Sequence, residues 1–115
     1  MAEDAVERVF ARSEPRVREV VRALIERVQS LPGVVVDPKD TCLHLNHRTA
    51  FAGVHPRRTA LLLNLRSRTP IESPRIRKME RVSANRCHNE LLVESVEAID
   101  GELMGWIAEA HALAA

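Results

Sequence analysis

Residues 51–65, FAGVHPRRTALLLNL, alternate in hydropathy with a period of two, which predicts two strands folded back on each other. The alternation places Phe51, Gly53 and His55 on one face of the first strand, and Leu61, Leu63 and Leu65 on one face of the second. Pro56-Arg57 marks the reversal, because proline pre-sets φ for a turn and donates no ladder hydrogen bond. Upstream, Val17, Val20, Val21, Leu24, Ile25, Val28 and Leu31 recur at helical spacing, the clearest periodicity in the chain. They predict a helix with one apolar stripe laid on a sheet. Ser13 reads as its N-cap, Glu14 and Pro15 fill its first turn, and Pro32-Gly33 ends it. A short helix over residues 4–10 precedes it, with Val6, Val9 and Phe10 on one side.

Further strands are predicted at residues 34–37, 41–46 and 89–94. In the second of these Cys42, His44 and Asn46 share a face; in the third Leu91 and Val93 face in, Glu90 and Glu94 out. Ile76, Met79 and Val82 fall at threes behind Ser73-Pro74, which predicts a short helix that breaks at Ser83-Ala84-Asn85. Asp100 caps a last helix whose broad apolar side holds Leu103, Met104, Trp106, Ile107, Ala110 and Leu113. The expectation is an α+β fold. A single antiparallel sheet of four or five strands, with a small helical insert, carries the N- and C-terminal helices on one face.

A chain of 115 residues is one domain, long enough to bury a core unaided; residues 1–12 form a short leading helix and 13–115 the body. Aromatic residues are Phe10, Phe51 and Trp106, with no Tyr, so the core is aliphatic and base-stacking on aromatics has little to work with. No apolar run nears the ~20 residues that cross a bilayer, and MAEDAVERVF lacks the basic start of a signal peptide. Cys42 and Cys87 make no disulfide framework. A cytoplasmic protein with reduced thiols and no membrane association is expected. Charge is uneven: residues 48–86 hold ten Lys and Arg against Glu72 and Glu80, whereas residues 87–115 hold six acids and no Lys or Arg.

Arg57 and Arg58 at the hairpin reversal, with Arg48 and Arg66 near in sequence, form a candidate phosphate-binding set, since guanidinium groups pair bidentately with phosphate oxygens. The competing expectation is that the basic middle neutralises the acidic end, with Glu90 and Glu94 beside Arg66. Cys42, His44, Cys87 and His88 do not follow zinc-ligand spacing, and buried or half-buried strand residues are expected there instead of a metal site. The histidines offer general bases, but no nucleophile elbow, metalloprotease, dinucleotide or P-loop motif accompanies them. Trp106 falls in register with Leu103 and Ile107 and is expected in the core.

The helix SEPRVREVVRALIERV, the run FAGVHPRRTALLLNLRS, the stretch SPRIRKMERVSANRCHNELLVES and the ending VEAIDGELMGWIAEAHAL together resemble a small bacterial domain of unknown function, from about Ser13 to His111. The resemblance implies a domain found alone, behind other small uncharacterised domains, or at the end of chains labelled predicted transport or nuclease-associated proteins. The layout is also similar to the YdhG and YjbR groups, whose helix–sheet–helix fold resembles frataxin. His111 departs from the pattern, which carries an aromatic, usually Tyr, at that place. The leading functional expectation is non-enzymatic binding of nucleic acid or another polyanion through Arg48, Arg57, Arg58 and Arg66. The first alternative is a small-molecule or enzymatic pocket between sheet and helix using His44, His55 or His88. The second is a protein-interaction module that forms a homodimer through an edge strand. No cofactor is expected.

Overall fold

Pro15 opens the helix that anchors the core. The structure, a computed structural model, describes residues 2–114. Helix α1 (Ala2–Val9) leads into α2 (Pro15–Val28), and a sheet of six strands follows: β1 (Val35–Pro38), β2 (Leu43–His47), β3 (Thr49–Pro56), β4 (Leu61–Ser67), β5 (Lys78–Ser83) and β6 (Arg86–Val93). A single 3-10 turn at Val96–Ala98 then precedes α3 (Gly101–Leu113). Every strand pairing is antiparallel, in the order β1-β2-β3-β4-β6-β5. The fold is α+β with one antiparallel sheet and helices at both ends, but it has six strands where four or five were expected.

The extra strand is β5. Residues 76–82 read as a short helix because their apolar residues fall at threes, yet all of β5 is exposed, so no apolar stripe exists to hold a helix there. Pairing with β6 decides instead, with Lys78 opposite Glu90, Met79 opposite Asn89 and Glu80 opposite His88. Ala84 and Asn85, read as a helix breaker, are the two-residue connection of this hairpin. Asn89 fastens the crossover from β4. It is fully buried; its amide donates to Leu65 O at 3.1 Å and Ser67 Oγ at 2.8 Å, and its Oδ1 accepts from Ile71 N at 3.1 Å.

One cluster of buried side chains joins Val6 and Phe10, the α2 stripe, the inner residues of β2, β3, β4 and β6, and Leu103, Ile107 and Ala110 of α3. The stripe of α2 is as periodicity predicted, except that Ile25 and Leu31 are only half-buried at its margin. Its N-cap is Glu14 and not Ser13, whose hydroxyl donates to Arg57 O at 2.7 Å. Asp100 caps α3 as expected, accepting from Leu103 N at 3.0 Å. Arg75 joins the crossover to that cap. It donates to Asp100 at 3.0 Å, Glu102 at 3.1 Å and Ala98 O at 2.8 Å, and stands 5.6 Å over the half-buried Trp106 ring.

A bulge sets which face β3 shows. Leu45 pairs with Ala52 and Asn46 with Ala50, so Phe51 is an extra residue with no partner. Strict alternation put Phe51 with Gly53 and His55. With the bulge, Phe51 and Ala52 are both buried, Val54 follows inward, and Gly53 and His55 turn to the other side. The one-residue turn before it needs Arg48 at φ 66°, a left-handed conformation.

Candidate functional site

The helices cover one side of the sheet, and the alternate residues of each strand line the other. His44, Gly53, Asn64 and Glu90 stand opposite one another as a row across β2, β3, β4 and β6. One step along the strands lie His55, Leu62 and Leu92; one step the other way lie Arg66, His88 and Glu80, with Arg86 beyond. Gly53 leaves the centre of this face without a side chain, and the His55 ring occupies the gap: a Cβ at residue 53 would meet His55 Nε2 at 3.0 Å. A shallow depression of about 210 Å³ results, lined by His44, Gly53, His55, Asn64, Arg66, Arg86 and His88, with Ala50, Phe51 and Ala52 at its floor and rim and no carboxylate among its lining residues.

All three candidate pocket histidines are therefore brought together, but not between sheet and helix as expected. They lie on the side that no helix covers, because the bulge at Phe51 moved His55 outward and even-numbered β6 residues face the same way. Burial, then the Arg57 charge, holds His55 below its ordinary pKa; burial, then the Arg86 charge, does the same to His88. Both rings are thus disposed to be neutral near pH 7. Arg86 Nε and Asn46 Oδ1 on this face are buried without a hydrogen-bond partner among the described residues.

The four candidate arginines divide into two pairs. Arg66 donates to Thr49 Oγ1 at 3.4 Å, next to Arg48. Arg57 and Arg58 sit past the far end of β3, a strand of eight residues, so about 25 Å separates the pairs. The hairpin end packs against the body of the domain. Ser13 Oγ and Glu14 N donate to Arg57 O at 2.7 Å and Arg58 O at 2.9 Å, and Arg16 donates to Thr59 O at 3.3 Å, which docks the turn on the start of α2. Among the described residues, Arg75 is the one cation of residues 48–86 in an ion pair, with Asp100 and Glu102. Neutralisation by the acidic end thus occurs at Arg75, whereas Glu90 faces Asn64 and Lys78 in register instead of Arg66.

Cys42, His44, Cys87 and His88 do not converge. Both thiols are free and buried, β2 and β6 are separated by β3 and β4, and Cys87 and His88 point to opposite sides. Among the described residues no three metal-ligating side chains cluster, and no helix is long and apolar enough to cross a membrane. Sequence reasoning missed Arg86, Gly53 and Asn64. Arg86 was legible in principle: it shares parity with His88 and Glu90, but the alternation marks the strand only from Asn89, three residues after its start. A larger groove of about 470 Å³ runs between α1, α2 and β1, yet its Arg22 and Glu7 already pair with each other at 2.6 Å.

Fold and site together define a two-layer α+β domain with one covered and one open, polar sheet face. The chain belongs to the DUF5655 family, described as a domain of unknown function, whose profile matches residues 6–114. No curated protein and no solved structure matches it.

Proposed function

We propose that this domain is a non-enzymatic binding module that holds nucleic acid, or another phosphate-bearing polyanion, on the open face of its sheet. The observation that carries the reading is the depression lined by Arg66, Arg86, His44, His55 and His88 with no carboxylate among them. Arg86 Nε, buried and without a partner, supports it, since an unsatisfied buried donor costs about 1–3 kcal/mol and an anion relieves that cost. The other unpaired cations of residues 48–86 add attraction over a longer range. Arg57 and Arg58 contribute at a distance, from the docked hairpin end.

Fluorescence anisotropy with short labelled oligonucleotides at about 50 mM salt tests this, salt being the variable that governs such binding. A Kd on the order of 10⁻⁴–10⁻⁶ M near physiological salt is expected, steeply weakened as salt rises. Arg66→Glu with Arg86→Glu should weaken binding more than Arg57→Glu with Arg58→Glu, and the melting curve should stay close to wild type. Absence of binding to single and double strands at low salt overturns the reading; equal losses in the two double variants move the surface away from the sheet face.

A further inference from the structure

The same face carries a more specific proposal, which rests on the polyanion reading. We propose that it takes unpaired nucleotides of single-stranded RNA or DNA, with a base stacked on His55 and its phosphate held by Arg66 and Arg86. Scarce Phe, Tyr and Trp argued against stacking, but imidazole rings and guanidinium planes also stack on bases. Gly53 is what makes a platform of His55. Lacking a side chain, it lets the imidazole fold back along the strand to 3.0 Å from where a Cβ would stand. Leu62, buried, lies opposite His55 on β4, beside it on the same face.

Beside Gly53 in register stands Asn64, whose amide offers both a donor and an acceptor to a base edge. Arg66 is two residues further along β4, about 6.6 Å away, a reach comparable to that from a base to its own phosphate. Within the depression the rows run from His55, beside Leu62 and Leu92, through His44 and Asn64 to Arg66, His88 and Arg86, while Glu90 and Glu80 stand in register outside its lining. Burial and Arg57 hold the His55 imidazole toward its neutral form, which stacks without competing for the phosphate. A duplex keeps its bases paired and stacked inside, so it presents phosphates to the arginines but no base to His55.

The test compares three kinds of labelled probe on the whole chain at one low salt concentration: a short uridine strand in its ribose and deoxyribose forms, an abasic strand with the same number of phosphates, and a duplex. The base-bearing strand should bind about tenfold more tightly than the abasic one, as loss of a stacking contact requires. His55→Ala should bring that ratio to about one. Gly53→Val, which displaces the ring while improving strand propensity, should do the same, and its melting curve reports whether the fold is kept. Equal affinity of wild type for base-bearing and abasic strands, or a ratio untouched by His55→Ala, overturns the base platform and leaves the polyanion reading standing. Absence of binding to all three overturns both. Uridine and 2′-deoxyuridine strands bound equally assign the site to either nucleic acid; a preference for one assigns it to that sugar.

Discussion

His111 and His55 are both imidazoles in this fold, with opposite duties. His111 is 8% exposed; its Nε2 donates to Pro32 O at 2.6 Å, and its ring stacks on His47 at 3.8 Å and meets Phe51 edge-on. His47 Nδ1 in turn donates to His111 O at 3.2 Å. The residue that departs from the expected Tyr thus keeps a ring and a hydrogen-bond donor, tying the end of α3 to the turn after α2. Gly33, at φ 67°, closes that turn, where a Cβ would meet the His47 ring at 3.1 Å. His55 and His88, on the open face, both have pKa values lowered by burial. Their protons bind the unfolded chain better, so their contribution to stability is full above about pH 6.5 and falls as pH drops through that value toward their folded ones. The melting temperature should therefore decline from pH 7.5 to pH 5, and His55→Gln with His88→Gln should flatten that decline. An unchanged slope in the double variant would show that other groups govern it.

At the scale of elements, α2 and β5 obey different rules. Periodicity sufficed for α2 because one face is buried along its whole length, with Val17, Leu24 and Val28 fully covered. Leu24→Ala should cost about 2–5 kcal/mol in urea denaturation, as core truncations do. Arg22 lies on the wet side in an exposed pair with Glu7, so Arg22→Ala should cost no more than about 1 kcal/mol. Similar losses would mean the buried stripe is misassigned. No such face exists in β5, whose ladder to β6 is its main support. Its Lys78, Glu80 and Arg81 also discourage further pairing along that edge, as charged edge strands do.

For the molecule as a whole, a single core cluster links all three helices to the sheet, so no part should melt alone. Far-UV circular dichroism should show mixed helix and antiparallel strand, and its transition should coincide with that of Trp106 fluorescence; separate midpoints would contradict the shared core. Charge is arranged at the same scale. Arg75 brings the acidic start of α3 against the crossover, while Arg66 and Arg86 remain available on the opposite side of the sheet. This layout leads to the expected difference between substitutions on the sheet face and at the hairpin end.

Local pattern alone determined the three helices, the β3–β4 hairpin, the Asp100 cap, the common face of Leu61, Leu63 and Leu65 and the inward Leu91 and Val93, since each depends on spacing within a few residues. Tertiary structure decided β5, because an exposed segment follows its partner strand and not its own periodicity. It also decided the site. A single extra residue at Phe51 reverses the facing of everything after it in β3, and no period-two pattern contains that insertion. Antiparallel pairing then placed Arg66 on Thr49, the neighbour of Arg48, and far from Arg57 and Arg58, although all four are close in the chain. Sequence separation measures length along the strand, whereas a binding face is built across strands, where neighbours come from hydrogen-bond register.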